Sequence, residues 1–183
     1  PLNNRWWLED EFKKVGAMSS ESGKLKRLAE IAQWENPGPG SYYDDVGNIA
    51  NSPHVDGDAE QDPDSFRGPE PLFWWWDNGR SRARHSWQVT MWPKRMVYEG
   101  LDPKGRYVVK TGGLGKSLLS IDGQRVAPTV DGKLMGEFKE FPVAPEHLKD
   151  RRLVLTWEIP SDEEHLNWRQ RSRLAEVWLL KQE

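Results

Sequence analysis

The stretch Arg95-Met-Val-Tyr-Glu-Gly-Leu-Asp-Pro-Lys-Gly-Arg-Tyr-Val-Val-Lys110 decides how the chain is read. Met96 and Tyr98 alternate with Arg95 and Glu99, and Tyr107 and Val109 alternate with Arg106 and Lys110. A period of two puts one face of a strand in a core and the other in water. Between the two runs, Gly100-Leu-Asp-Pro-Lys-Gly105 supplies a proline that fixes φ and glycines for positions where φ is positive. The stretch predicts two short strands joined as a hairpin, against which the later strands are laid.

The chain beyond it carries the same signals. Lys116–Val126 predicts a second hairpin turning at Asp122-Gly123, a dipeptide favoured in two-residue turns. Asp131-Gly132 marks another turn, and Phe138–Val143 and Arg152–Ile159 are expected strands. In the latter, Leu153, Leu155, Trp157 and Ile159 share a face, and Val154 breaks the polar side. Ser161–Ser172 is expected to be a charged loop. Leu174–Lys181 is then a closing strand with Ala175, Val177 and Leu179 on one face; a helix over Asp162–Leu180 is the rival assignment. Short strands at regular spacing predict an all-β fold, an antiparallel β-sandwich. No fixed-period repeat is visible, which argues against a propeller or solenoid.

Upstream, Asn3–Val15 and Ser20–Glu35 read as helices. Leu25, Leu28, Ile31 and Ala32 recur at helical spacing, Ser19 or Ser20 is placed to cap, and Asn36-Pro37-Gly38-Pro39-Gly40 is a firm stop. The apolar faces of these helices must pack on something, either as a clasp across the sheet or as a connector to a preceding domain. Residues 1–35 are therefore a short helical extension or connector, and residues 36–183 the β-domain. The latter carries a long acidic and Trp-rich insertion at 41–92, whose Ser41–Pro71 part is of a length that is usually functional or disordered.

The 183 residues include 11 Trp and no Cys, with a net charge of −3. Tryptophan brings much buried area per residue, so a core forms despite few aliphatics. The small net charge gives no field favouring nucleic acid or membrane. Charge is unevenly spread: between Asn36 and Glu70 stand eight acids against Arg67, and between Gly79 and Lys116 nine Lys or Arg against Glu99 and Asp102. Without Cys there are no disulfides and no thiolate metal sites. No apolar run approaches a membrane span. Beginning at Pro1 without Met, the sequence is expected to be a fragment or a processed form.

The pattern Met96-x-Tyr98-x-Gly100-Leu101-Asp102-Pro103, followed by Arg106-Tyr107-x-Val109, is similar to that of galactose-binding-like jelly-roll domains. So are Phe138–Val143, Leu153–Trp157 and Ala175-Glu176-Val177-Trp178-Leu179. Trp34-Glu35-Asn36-Pro37-Gly38-Pro39-Gly40, running into Tyr43-Asp44-Asp45-Val46-Gly47-Asn48, resembles a stretch that precedes such modules in large bacterial proteins. The resemblance covers roughly the second half of the chain. It implies a jelly-roll topology for the sandwich and an accessory or carbohydrate-binding module of a large secreted polysaccharide-degrading protein. The implied partners are a polysaccharide and the multi-domain parent, in the extracellular space or the periplasm; the charge balance and the lack of a long apolar run argue separately against nucleic acid and membrane. The Trp-rich insertion is not part of the common pattern, so the resemblance carries over no binding residue.

The residues themselves name a candidate site. A sugar ring offers an apolar face of C–H groups ringed by hydroxyls; a flat indole covers the face, and Asp, Asn, Arg and His take the hydroxyls. Leu72–Trp92 supplies both classes. The candidate carbohydrate contacts are Trp74, Trp75, Trp76, Trp87 and Trp92 for stacking, with Asp77, Arg82, Arg84 and His85 for the polar groups. Core packing is the competing role for each ring. Asp44, Asp45 and Asn48 are candidate calcium ligands, since calcium takes six to eight oxygens from Asp-rich irregular loops; turn and cap hydrogen bonding is their ordinary role. The expected cofactor is none, or that structural calcium ion.

Gly112-Gly113-Leu114-Gly115-Lys116-Ser117 is not a phosphate loop, because the required first glycine position is Lys110 and a strand follows. His54, His85, His147 and His165 have no zinc-ligand spacing. No nucleophile elbow appears. The alternatives to a sugar-binding module are a structural domain docking on a parent catalytic domain, marked by an apolar patch around Trp6, Trp7 and the first helix, and a small polysaccharide-cleaving enzyme, marked by a cleft holding a His or carboxylate pair.

Overall fold

The computed structural model describes residues 5–46, 52–55, 95–133, 137–158, 160–166 and 172–182. Two helices come first, α1 (Arg5–Ala17) and α2 (Glu21–Ala32). The described strands are β1 (Tyr42–Asp45), β2 (Met96–Glu99), β3 (Arg106–Leu114), β4 (Leu118–Ile121), β5 (Gln124–Arg125), β6 (Val130–Asp131), β7 (Phe138–Val143), β8 (Arg152–Glu158) and β9 (Arg173–Gln182). They form one sheet in the order β1-β9-β3-β7-β6 and another in the order β2-β8-β4-β5, with every pairing antiparallel. The chain is mostly β, two antiparallel sheets arranged like a sandwich with two short helices. β9 is a strand, so the helix over Asp162–Leu180 does not form.

β2 and β3 are both strands, but the hairpin expected between them is absent. Tyr98 of β2 stands opposite Leu153 of β8, whereas Val109 of β3 stands between Phe141 of β7 and Leu179 of β9. The connection carries the chain from one sheet to the other. Gly100 turns it at φ 70°, Leu101 is buried and donates its N–H to the Arg151 carbonyl at 3.0 Å, and Gly105 N–H closes onto the Asp102 carbonyl at 3.0 Å. Alternation specifies that a strand has an apolar face. A core lying between two sheets takes such a face from either side, so the local pattern cannot name the pairing partner.

Both sheets contribute to one hydrophobic cluster. Tyr107, Val109, Phe141, Val177 and Leu179 come from the first, and Met96, Tyr98, Leu119, Leu153 and Leu155 from the second. Each such side chain, taken fully out of water, stabilises the fold by about 1.5–3 kcal/mol. On β8, Leu153, Leu155 and Trp157 are buried while Val154 is half-buried on the other side, so the strand keeps a strict alternation. The Asp122-Gly123 turn forms as expected, with φ of 47° and 78°, the double positive φ of a type I′ turn. Asp122 also serves β8 and a neighbouring 3₁₀ turn: its Oδ1 accepts from Val154 N–H at 2.9 Å, and its Oδ2 lies 2.9 Å from Nδ1 of buried His147.

The helices clasp the first sheet. Ser20 caps α2, its Oγ accepting from Gly23 N–H at 3.2 Å. Gly38 and Gly40, at φ 103° and 74°, turn the chain toward β1. Val15, Ile31 and Trp34 pack with Trp178. Leu25 and Leu28 do not join them: Leu25 is 61% exposed and Leu28 is also exposed. The inward side of α2 instead runs through half-buried Arg27 and buried Ile31, four residues apart on one helical face, with Trp34 buried just past the helix end. Arg27 commits that face, binding Glu11 of α1 at 2.6 and 2.9 Å and Glu30 at 2.8 Å. No helix among the described residues is long and apolar enough to cross a membrane.

Candidate functional site

Strand register places Tyr43, Trp178, Lys110 and Glu140 in one row across the outer face of the five-stranded sheet. Because side chains alternate, this row points away from the inter-sheet core and toward α2. The next row holds the buried Glu176, whose Oε1 accepts from Trp34 Nε1 at 3.1 Å and from Tyr43 Oη at 2.5 Å. Trp178 Nε1 donates to the Trp34 carbonyl at 2.8 Å. The rings meet edge to face, Trp34 on Trp178 at 5.6 Å and 81°, Phe138 on Trp178 at 5.7 Å and 87°. This is the favoured orientation of the aromatic quadrupole.

Between α2 and this face lies an open-sided cleft of about 220 Å³. Its floor is apolar, made by Trp34, Pro37, Trp178 and Leu180, and its rim is polar, made by Arg27, Glu30, Gln33 and Lys110. Lys110 Nζ stands 4.1 Å from the Phe138 ring centroid and 5.6 Å from that of Trp178, a cation–π arrangement. Among the described residues this half-buried amine has no hydrogen bond and no ion pair. Burial lowers its pKa below the ordinary lysine value, although Glu140 and Glu30 pull it upward. Arg27 is the opposite case. Burial would lower its pKa, but the bonds to Glu30 and Glu11 raise it, so its charge is already answered within the protein.

No family model matches the chain. Nor does any curated protein or solved structure. The site must be read from its own residues.

Trp74, Trp75, Trp76, Asp77, Arg82, Arg84, His85, Trp87 and Trp92 lie outside the described residues, as do Asn48, the Asp56–Asp64 loop and Ile159. Of the candidate calcium ligands, Asp44 and Asp45 are placed, and both are fully buried. Asp44 has other business: Oδ2 accepts from Tyr98 Oη at 2.8 Å and lies 2.9 Å from His54 Nδ1, and Oδ1 accepts from His54 N–H at 3.1 Å. Among the described residues there is no group of three or more His, Asp or Glu arranged to hold a metal ion.

Among the described residues the Asp44–His54 pair resembles the catalytic signature of a cleaving enzyme. Its ring stacks on Tyr98 at 4.4 Å, and the 52–55 segment is tied to β2 through Val97 N–H to the His54 carbonyl at 2.8 Å. Neither residue lines the 220 Å³ cleft. The pair holds two sheets and a segment together. Likewise Gly112 and Gly113 lie in β3 at a bulge, and Leu118–Ile121 is strand β4, as expected for a stretch that is not a phosphate loop.

The cleft was not legible from local pattern. Lys110 reads as an ordinary outward residue of a strand, and Arg27 and Gln33 as the wet side of a helix. One signal was present: Trp178 lies opposite Ala175, Val177 and Leu179 in the alternation of β9, an indole on a face that would otherwise meet water.

Proposed function

We propose that the chain is a non-catalytic carbohydrate-binding or accessory module, of the galactose-binding-like jelly-roll kind, within a larger exported bacterial protein. Sheets of five and four antiparallel strands suit that topology. The observation that carries the reading is the make-up of the inter-sheet core. Its described members are mainly Leu, Val, Ile, Met and Tyr, with Trp157 the one indole among them. Among the described residues aliphatic side chains predominate in this core; Trp34, Trp157 and Trp178 are themselves buried, and on this reading the rings of Leu72–Trp92 have a different role. Exposed rings among Trp74, Trp75, Trp76, Trp87 and Trp92 then stack on a polysaccharide, with Asp77, Arg82, Arg84 and His85 on its hydroxyl or carboxylate groups. On this reading the module works in the extracellular space or periplasm, and a chain with no Cys has no thiol to be paired or mispaired there.

Affinity electrophoresis in gels holding neutral or acidic polysaccharides tests it. Retardation by at least one polysaccharide, lost in a Trp74→Ala, Trp75→Ala, Trp76→Ala variant, is the expected result; no retardation by any sinks the proposal.

A second reading has its own observation. Of the five exposed large hydrophobic side chains described, Phe12, Met18, Leu25 and Leu28 belong to the helical pair and its turn. A module docked on its parent through this pair would keep its fold in a Phe12→Ser, Leu25→Ser, Leu28→Ser variant and would no longer co-elute with the parent's other domains.

A further inference from the structure

We infer that the cleft between α2 and the outer face of the five-stranded sheet binds a single uncharged, hydroxyl-bearing ring, the size and polarity of one monosaccharide, and that Lys110 is the group that reads it. The inference makes no use of the rings at 72–92, and it stands or falls apart from a polysaccharide platform there.

Size comes first. At about 220 Å³ the cleft is smaller than sites for drug-sized ligands, roughly 300–1,000 Å³, and holds one ring rather than a chain of them. Its build is that of a ligand site, an apolar floor under a few convergent polar groups. Both indole N–H groups are spent inside the protein, on Glu176 and on the Trp34 carbonyl. Trp34 and Trp178 therefore offer apolar ring surface and no indole donor.

The rim offers both kinds of hydrogen-bonding partner. Lys110 brings donors alone, the Gln33 amide a donor side and an acceptor oxygen, and Glu30 acceptor oxygens. A hydroxyl group donates and accepts at once, so it suits this mixture better than an anion, which only accepts, or an ammonium, which only donates.

Charge decides against an ionic ligand. Lys110 sits in the field of Glu140, Glu30 and Glu176, opposed by Arg27. Arg27 is spent on Glu11 and Glu30, so a ligand carboxylate would find Lys110 alone, opposed by Glu30 on the rim and by Glu140 and Glu176 nearby, and a ligand cation would meet both Lys110 and Arg27. A neutral ring incurs neither repulsion. It also supplies what Lys110 lacks among the described residues: a half-buried ammonium without an acceptor is costly, and a hydrogen bond to a charged group is among the stronger kinds. A ring or hydroxyl oxygen placed over the cleft provides that acceptor.

Isothermal titration calorimetry with the methyl glycosides of glucose, galactose, mannose and xylose, and with methyl glucuronide, tests the inference. Expected is one-to-one binding of at least one neutral glycoside, weakened roughly tenfold or more in Lys110→Met and in Gln33→Ala, and unchanged in the Trp74→Ala, Trp75→Ala, Trp76→Ala variant. Lys110→Met removes a half-buried ammonium and keeps most of the side-chain volume, so its melting temperature should hold or rise, separating lost binding from a lost fold. Gln33 is exposed, so Gln33→Ala gives the same separation again. Absence of binding by every glycoside, tighter binding of the glucuronide than of any neutral glycoside, or binding abolished in the triple tryptophan variant would each overturn it.

Discussion

Tyr98 donates its phenolic proton to Asp44 over 2.8 Å, and with it a strand of one sheet is bonded to a strand of the other through the core. Both residues are fully buried. Tyr98→Phe leaves the packing and takes one donor from a buried carboxylate, which then carries part of its desolvation cost unrelieved. The expected loss is about 1–3 kcal/mol of unfolding free energy. It would be read as a lower urea midpoint at unchanged slope; an unaltered midpoint would mean that the bond adds nothing net.

The same phenol predicts an alkaline limit. Burial foremost, then the charge and hydrogen bond of Asp44, push the Tyr98 pKa well above its ordinary value of 10. A group whose pKa is raised by folding stabilises fully below its unfolded pKa and loses that contribution as pH climbs toward the folded value. Stability should therefore decline above about pH 10, by up to about 1.4 kcal/mol for each further pH unit from this residue. Tyr98→Phe should lack that share of the decline. Parallel slopes for the two proteins in denaturant titrations between pH 9.5 and 11, a range set by the ordinary tyrosine value, would refute the assignment.

At the acid end the helical pair is the sensitive part. Burial alone would raise the Glu11 pKa, but hydrogen bonds from Lys14 and Arg27 reverse this and leave it below the usual carboxylate range. A depressed carboxyl stabilises above its unfolded pKa, about 4.3 for Glu, and the contribution disappears as pH falls through the folded value. Arg27→Met should cost about 1–3 kcal/mol at neutral pH, because Glu11 stays buried with one cation fewer. It should also flatten the fall in stability below about pH 4. Helical circular dichroism against urea at the two pH values measures both effects.

Two glycines separate strain from collision. Gly115 and Gly123 both have positive φ, 75° and 78°. A β-carbon at 123 meets open space, whereas one at 115 would strike Ser172. Ser172 cannot step aside, since its Oγ accepts from Lys116 N–H at 2.7 Å and donates to Glu163 Oε1 at 2.6 Å. Gly123→Ala should cost about 1 kcal/mol, the price of a left-handed residue, and Gly115→Ala clearly more. Each kcal/mol lowers the melting temperature of a chain this size by about 2–4 °C. Equal shifts for the two variants would remove the steric part of the account.

Features fixed by adjacent residues could be read in advance. Asp122-Gly123 is a turn whose two positive φ values follow from those two side chains, and Ser20 caps α2 through a bond three residues long. Strand identity in β8 followed from alternation along the strand, and in β9 alternation over Leu174–Lys181 favoured the strand that forms over its helical rival. What escaped depends on partners far along the chain. Met96 and Tyr98 show an apolar face, but nothing nearby says that β8, not β3, lies beside it. Leu25 and Leu28 have helical spacing, yet the ion pair of Arg27 with Glu11, sixteen residues earlier, settles which side turns inward. Asp44 looks like a cation ligand in isolation; Tyr98, 54 residues on, claims it. The cleft needs Trp34 beside Trp178, across 144 residues.

The bond from the Trp178 indole to the Trp34 carbonyl also tells an experimenter where not to cut. The proline- and glycine-rich run after Trp34 is the obvious place to trim a gene so that only the strands are expressed. A clone begun there would strip the wall from the broad sheet: Glu176 would lose one of its donors, and the Trp178 and Phe138 rings would face solvent along a sticky strip. Such a fragment should precipitate where the longer one stays in solution, so a shortened version should keep the two helices along with the strands.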